Sequence, residues 1–431
     1  MFKLLKDSFK VKDIRSKILF TVFVLFAFRL GAHITVPGVD ANSLQSLSEL
    51  PFFNMMNMVS GSAMQNFSIF SMGVSPYITA SIVIQLLQMD IVPKFVEWSK
   101  QGEVGRKKLN QATRYLTLVL AFVQSIGITA GFNTYAQLGF VKTPNVQTYL
   151  TIGLILTGGT MFVTWLGEQI TEKGIGNGVS MIIFAGIISR LPEGIKEIYE
   201  DYFVNIDPSD IWKSAIFVAI LIIAILIIVT LVTFVQQAER KIPIQYTKRV
   251  AGAPTSSYLP LKVNAAGVIP VIFASSFIAT PNAVLQALSG KFEGAAWYDV
   301  VMQIFSYNTL PGAAIYTVLI VAFTFFYAFV QVNPEKLSEN LQKQGSYIPS
   351  VRPGKGTEEY VSSLLMRLST VGAVFLGLVA LIPIIAQMVW NLPQSIGLGG
   401  TSLLIVIGVA LETAKQLDGL MLKRKYVGFI D

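Results

Sequence analysis

Residues 52–90, FFNMMNMVSGSAMQNFSIFSMGVSPYITASIVIQLLQMD, decide how the rest of the chain is read. Their second half, from Val74 to Met89, is apolar enough to lie in a bilayer. Their first half alternates Asn54, Asn57, Ser60, Gly61, Ser62, Gln65 and Asn66 with Phe52, Phe53, Met55, Met56, Met58, Met64 and Phe67. Met58, Ser62 and Gln65 fall at helical spacing, which predicts a short half-helix too polar to span. Backbone of that kind at membrane depth is tolerated only where protein buries it or where it lines a wet cavity. The stretch therefore predicts a chain that encloses a pore with a half-helix seated in it.

The totals agree with a membrane setting. The chain has 431 residues, 53% of them hydrophobic and 13% charged, with a mean hydropathy of +0.59. Soluble domains carry about 25% charged residues. There is no cysteine and a single histidine, His33. A disulfide framework, a thiolate or multi-histidine metal site, a thiol nucleophile and a Ser-His-Asp triad are thereby disfavoured. No catalytic residue, metal site or cofactor is assigned, and the chain is not read as an enzyme.

Ten apolar stretches are long enough to cross a bilayer, which takes roughly 20 residues. They lie near residues 18–36, 74–92, 114–133, 148–168, 178–198, 212–236, 264–282, 311–332, 364–388 and 401–422. Pro and Gly punctuate most junctions, among them Pro37-Gly38, Pro93, Pro192, Pro243, Pro334 and Pro353-Gly354. Most of the 33 Lys and Arg residues fall on one side of this plan. They crowd the N-terminal segment, read as retained and not as a signal peptide, then the stretch from Lys94 to Arg114, two later loops and the C-terminal tail. No Lys or Arg occurs between Arg29 and Lys94. The positive-inside rule puts that side, with both termini, in the cytoplasm. The net charge of +8 is thus a topology signal and not a nucleic-acid patch.

Five spans precede the acidic outer loop around Glu193 to Asp210 and five follow it. An odd number per half predicts an inverted repeat, residues 1–205 and 206–431, meeting at the midplane. Two long cytoplasmic loops, 236–262 and 333–360, mix basic, aromatic and Pro/Gly residues and suit docking of a large partner. The glycines of GIGNG, Gly174–Gly178, read as a tight turn between two spans; the spacing of a phosphate-binding fingerprint is incomplete. Gly354-Lys355-Gly356-Thr357 does not fit a P-loop, so drive has to come from a partner or the membrane gradient. The spans hold no convincing carboxylate pair, which counts against the alternative of an ion-coupled secondary transporter. In the second span Ser81, Gln85 and Gln88 form a polar stripe, for which ordinary interhelical hydrogen bonding is the plainer reading.

Several stretches in order along the chain resemble one family: GVSPYITASIVIQLL, GRKKLNQATRY, FVQSIGITAG, EKGIGNGVSMIIFAGII, LPLKVNAAGVIPVIFASS, YIPSVRPGKGTEEY and GGTSLLIV. The chain is similar throughout to the SecY family, the pore subunit of the bacterial general secretion channel. That resemblance implies an all-α, ten-helix hourglass of two pseudo-symmetric halves in the bacterial plasma membrane. It implies a channel that passes unfolded preproteins outward and releases transmembrane segments sideways into the lipid bilayer. The implied pore ring is Val74, Ile78, Val179, Ile183, Ile272 and Ile405. The implied plug is the half-helix of about Met55 to Phe67, with Met58, Ser62 and Gln65 on it. The implied lateral gate opens between the second and seventh spans, with Thr79 and Gln85 on its second-span side. Arg352 matches the arginine of the motor-docking loop, and Arg240, Lys241, Lys248 and Arg249 match a second docking loop. Many relatives carry a further basic pair where this chain has Ala251-Gly252-Ala253-Pro254. The implied partners are the small subunits SecE and SecG, the motor ATPase SecA, the ribosome, and signal peptides on their preproteins.

Overall fold

The computed structural model of the protein describes residues 7–40, 57, 60–61, 63–89, 91–136, 140–204, 211–246, 256–292, 295–306, 309–390 and 400–427. Helix dominates them, and each of the ten expected spans overlaps one. In chain order these are α1 (Lys12–Gly31), α2 (Ser75–Leu87), a short α3 (Pro93–Lys100), α4 (Gly102–Ala136), α5 (Val146–Lys173) and α6 (Gly178–Tyr199). They continue as α7 (Ile211–Gln237), α8 (Ile269–Phe292), a short α9 (Ala296–Ile304), α10 (Leu310–Gln331), a short α11 (Pro334–Lys343), α12 (Lys355–Trp390) and α13 (Gly400–Val427). Among the described residues six helices are long and apolar enough to cross a membrane by length and composition alone. The expected boundary between halves falls in 205–210, outside the described residues.

A helix apolar on every face belongs in lipid or in the core of a large protein. α7 is the extreme case: of its 27 residues only Ser214 and Val232 are buried, while Ile216, Ile220, Ile223, Ile227 and Phe234 are exposed. α1 is more two-sided, with Thr21, Val24 and Phe28 buried and Phe23, Phe26 and Leu30 exposed. The helices form a connected bundle. α5 packs on α4, α6 and α1; α8 packs on α4, α2 and α10; α12 bridges α10 and α13; and α13 returns to α6 and α7.

Three expectations need correction. The second span is shorter than its apolar run. α2 has 13 residues, about 20 Å at 1.5 Å per residue, against a hydrocarbon core of about 30 Å. Pro93 ends the run by opening α3 instead. Pro192 does not mark a junction: it lies inside α6, which runs on into a π-turn at Glu200–Val204. The half-helix does not continue to Phe67, because residues 63–67 are turns and Asn57 is the one described helical residue in the segment. Local side-chain bonds compete with a helix there. The Asn57 side-chain oxygen accepts from Gln65 N–H at 3.1 Å, and Ser60 Oγ accepts from Met64 N–H at 3.2 Å.

The two long loops are not separate. β1 (Glu239–Tyr246) and β2 (Ser256–Lys262) form an antiparallel hairpin in the register Glu239↔Lys262, Ile242↔Leu259 and Gln245↔Ser256. β3 (Ser346–Tyr347) from the second loop adds to β1 through Gln245↔Tyr347 and Tyr246↔Ser346, giving the order β2-β1-β3. β3 is so short that β1 is single-partnered at Pro243, where a residue without an N–H is tolerated. A small core of Ile242, Leu261, Ile348 and Val361 ties the sheet to the start of α12.

Candidate functional site

The six residues expected to form a pore ring come from α2, α6, α8 and α13 and meet in one apolar cluster. Val74, Ile78, Ile183, Ile272 and Ile405 are all buried in it, and Val179 packs against it half-buried. Local sequence sets each position. Gly73 (φ +52°) turns the chain so that α2 begins beneath Val74, and the Ile78 N–H closes the first turn onto the Val74 carbonyl at 3.0 Å. Asn177 caps α6 by accepting from Ser180 N–H at 3.3 Å, which starts the helix one residue before Val179. A Cβ on Gly178 would meet the Gly167 carbonyl, so only glycine lets α6 and α5 approach this closely. A Cβ on Gly408 would lie 2.3 Å from Val268 Cγ1, so that glycine lets α13 close on the segment opening α8, between Ile405 and Ile272.

Beside the cluster lies the turn segment that follows Asn57. Gly61 (φ +70°) is buried against Phe28, and its backbone rests directly on α6. A Cβ on Gly186 would stand 2.2 Å from Gly61 Cα. Arg29 Nη1 of α1 donates to the Gly61 carbonyl at 2.9 Å, and Gln65 Nε2 donates to Glu193 Oε1 at 3.4 Å. Ala63 joins the same apolar cluster as the ring candidates. Met64 and Phe67 do not: they are buried in a second cluster with Val36, Ile128, Phe132, Phe140 and Leu156. The Phe67 and Phe140 rings meet edge to face at 4.9 Å. Phe67, with φ +41°, thus anchors the segment to α4 and α5 and stands apart from the ring residues. Met55, Met58 and Ser62 lie outside the described residues. Sequence reasoning named Arg29 without a partner and missed the Gly61–Gly186 approach. A glycine inside a polar run and another inside an apolar helix were the available signals.

Thr79 and Gln85 are half-buried on α2, the helix that packs against α8. Thr79 Oγ1 donates to the Ser75 carbonyl at 3.2 Å, and Gln85 Nε2 donates to Ser81 Oγ at 3.0 Å. Both of these bonds run within α2. The Gln85 side-chain oxygen is buried without a hydrogen-bond partner, an arrangement that costs free energy wherever water is excluded. Arg114 of α4 donates from Nε and Nη2 to the two carboxylate oxygens of Glu168 of α5, at 2.9 and 2.5 Å, and fixes those two helices to each other.

At the sheet, Arg240 and Lys241 are exposed on β1. Arg352 is exposed on the turn that enters α12. That turn is braced. Thr357 Oγ1 donates to the Arg352 carbonyl at 3.1 Å, Ser338 Oγ of α11 donates to the Gly354 carbonyl at 2.7 Å, and Gly354 takes φ +87°. Tyr347 Oη donates to Gln245 Oε1 at 2.9 Å across the β1–β3 pair. One platform therefore carries Arg240 and Lys241 of one loop and the turn with Arg352 of the other. Lys248 and Arg249 lie outside the described residues. Among the described residues no group of three or more His, Cys, Asp or Glu side chains converges as a metal site would require.

The SecY family model matches residues 68–414. The chain is 65% identical over 431 residues to the protein translocase subunit SecY of Lactococcus lactis, covering 100% of this chain and 98% of that one. Among solved structures, one described by the plug domain of the SecY protein, which stabilises the closed state of the translocation channel, matches with a TM-score of 0.65 at 16% identity. It covers 94% of this chain and 91% of that chain. Sec61 in the canine ribosome–channel complex matches with a TM-score of 0.61 at 18% identity, with the same coverage. The ion-coupled transporter alternative finds no support among these relatives.

Proposed function

The chain belongs to the SecY family, and from that premise we propose how its residues divide the work of a protein translocase. It is a protein-conducting channel and a multi-pass membrane protein of bacteria. The seal is the apolar ring of Val74, Ile78, Val179, Ile183, Ile272 and Ile405. The observation that carries this reading is their convergence, from four helices distant in sequence, into one buried cluster. Apolar constrictions gate by dewetting, and they close around a passing chain without binding any sequence in particular. The two halves are related as an inverted pair, both termini face the cytoplasm, and a side gate opens between α2 and α8. Lipid favours an apolar segment of about 20 residues leaving by that gate.

The segment around Gly61 is the plug, closing the ring from the other side. Two features support this: its contact with the ring cluster through Ala63 and its seat on Gly186. Replacing Gly186→Ala tests the seat selectively, because alanine favours the helix that carries it by about 1 kcal/mol. The new Cβ collides with Gly61 Cα. Overpacking of this kind costs about 1–3 kcal/mol, so resting conductance in a planar bilayer should rise roughly 5–150-fold. A variant as tight as the parent would refute the plug assignment.

The platform of β1, β2, β3 and the Arg352 turn docks the drive, the motor ATPase SecA or a translating ribosome. A groove of about 490 Å³ between α7 and α13, walled by Val406, Ile407, Ala410 and Leu411, suits a membrane helix of a small subunit such as SecE. SecG completes the complex. The deciding experiment is reconstitution of the chain with SecE, SecG and SecA in proteoliposomes with a signal-bearing preprotein. ATP-dependent protection of the preprotein from external protease is expected; equal protection in protein-free vesicles would reject the function.

A further inference from the structure

Two seams join the first five spans to the last five. Along one, α8 packs on α2 and α4; along the other, α13 packs on α6. The seams differ in chemistry. The first involves α2, which carries the buried, unpartnered side-chain oxygen of Gln85. The second is fastened where the Gly174–Gly178 turn enters α6.

That turn is held by side chains from three other elements. Ile175 N–H donates to Thr21 Oγ1 of α1 at 3.0 Å, and Gly178 N–H donates to Thr171 Oγ1 of α5 at 2.8 Å. Gly176 N–H donates to Gln416 Oε1 of α13 at 2.6 Å, crossing from the first half to the second. Gly176 takes φ +87° and is buried, and a Cβ there would lie 3.1 Å from both Met181 Cγ and Thr413 Oγ1. Thr413 Oγ1 in turn points to Met181 Sδ at 3.6 Å. Below them Ile14, Ile175 and Leu417 form a buried apolar cluster, and Ser8 Oγ donates to Met421 Sδ at 3.1 Å. The tenth span thus hangs from a turn that α1 and α5 hold rigid. Parting this seam would orphan a buried backbone amide and expose the cluster, and an amide left unsatisfied is costly.

The geometry points to Gln416 as a positioning residue that clasps α13 to the first half, so that this seam stays shut while the α2–α8 seam opens. The assignment rests on the channel reading above and adds the residue that fastens the α13–α6 seam. The clasp contributes one neutral hydrogen bond whose loss shifts the balance between held and released states roughly two- to twelvefold.

The chain has no cysteine, so engineered thiols report cleanly. Met181→Cys with Thr413→Cys, joined by a short bismaleimide in the reconstituted complex, should transport a preprotein as well as the untreated pair. Loss of transport on joining them would overturn the proposal, because this seam would then have to open. Separately, Gln416→Leu should admit a preprotein with a defective signal sequence several times more readily than the parent. Gln416→Glu, which keeps the accepting oxygen, should restore the parent's stringency. Equal stringency in all three would also overturn the clasp. Failure of the channel reading is distinguishable, since the parent complex would then transport nothing.

Discussion

Arg352→Glu is expected to abolish motor-driven export while leaving the protein folded and inserted. The side chain is exposed and the hydrogen bonds of its turn run through backbone and through Ser338 and Thr357, so the exchange removes nothing that holds the turn. What it changes is the charge offered to a partner, by two units at the tip of a braced loop. Truncating one partner of a buried, hydrogen-bonded charge pair costs about 2–5 kcal/mol, and a reversed charge adds repulsion to that loss. A cost at the upper end of that range corresponds to a fall in docking of between about three and four orders of magnitude. ATP-driven transport in vesicles should fall to background while the melting temperature in detergent stays within a degree or so of the parent. Near-normal ATP-driven transport would remove Arg352 from the docking role. Arg240→Ala and Lys241→Ala should have smaller effects, because the exposed strand leaves neighbouring charges to compensate.

The second large effect belongs to the seal. Ile405→Asn and Ile272→Asn each put an amide among Val74, Ile78 and Ile183, where both native side chains are buried. An amide buried without a partner costs about 1–3 kcal/mol in protein mutational data. The lost apolar packing adds to that cost. A dry constriction escapes the penalty by admitting water, so the closed channel loses relative to the open one by roughly 5–150-fold. Two readouts should move together: ion leak through resting channels rises, and preproteins with defective signal sequences are transported. The double substitution should add little beyond the first once the ring is wet. If both single variants stay tight and stringent, the ring lies elsewhere. Ile405→Leu, which keeps volume and apolarity, should behave as the parent does.

The positions of the long apolar helices were legible because lipid imposes a simple rule, a run of apolar residues of fixed length, and α7 obeys it most fully. The turn at Gly174–Gly178 was legible because five residues with three glycines between two spans leave few alternatives. Helix ends were less so. Pro93 marked a junction as expected, by opening a new helix, whereas Pro192 was absorbed within one, since proline is tolerated in a first turn and its cost elsewhere depends on neighbours. The extent of the half-helix was misjudged for a similar reason: Asn57 and Ser60 bond to backbone locally and favour a turn.

By itself the sequence determined that the chain is a helical membrane protein, roughly where it crosses, and which stretches resemble a known family. Those properties follow from composition summed over windows and from local order, both of which are written along the chain. Only the tertiary structure decided what meets what. It joined two loops about a hundred residues apart into one sheet, separated Phe67 from the ring residues, and gave Arg29 the Gly61 carbonyl. It also hung Gln416 on a turn 240 positions away. Such contacts depend on the packing of helices, and no local pattern fixes them. In the stretch from Phe52 to Asp90 the polarity announced a segment unfit for lipid; the approach of Gly186 to Gly61 decided where part of it rests.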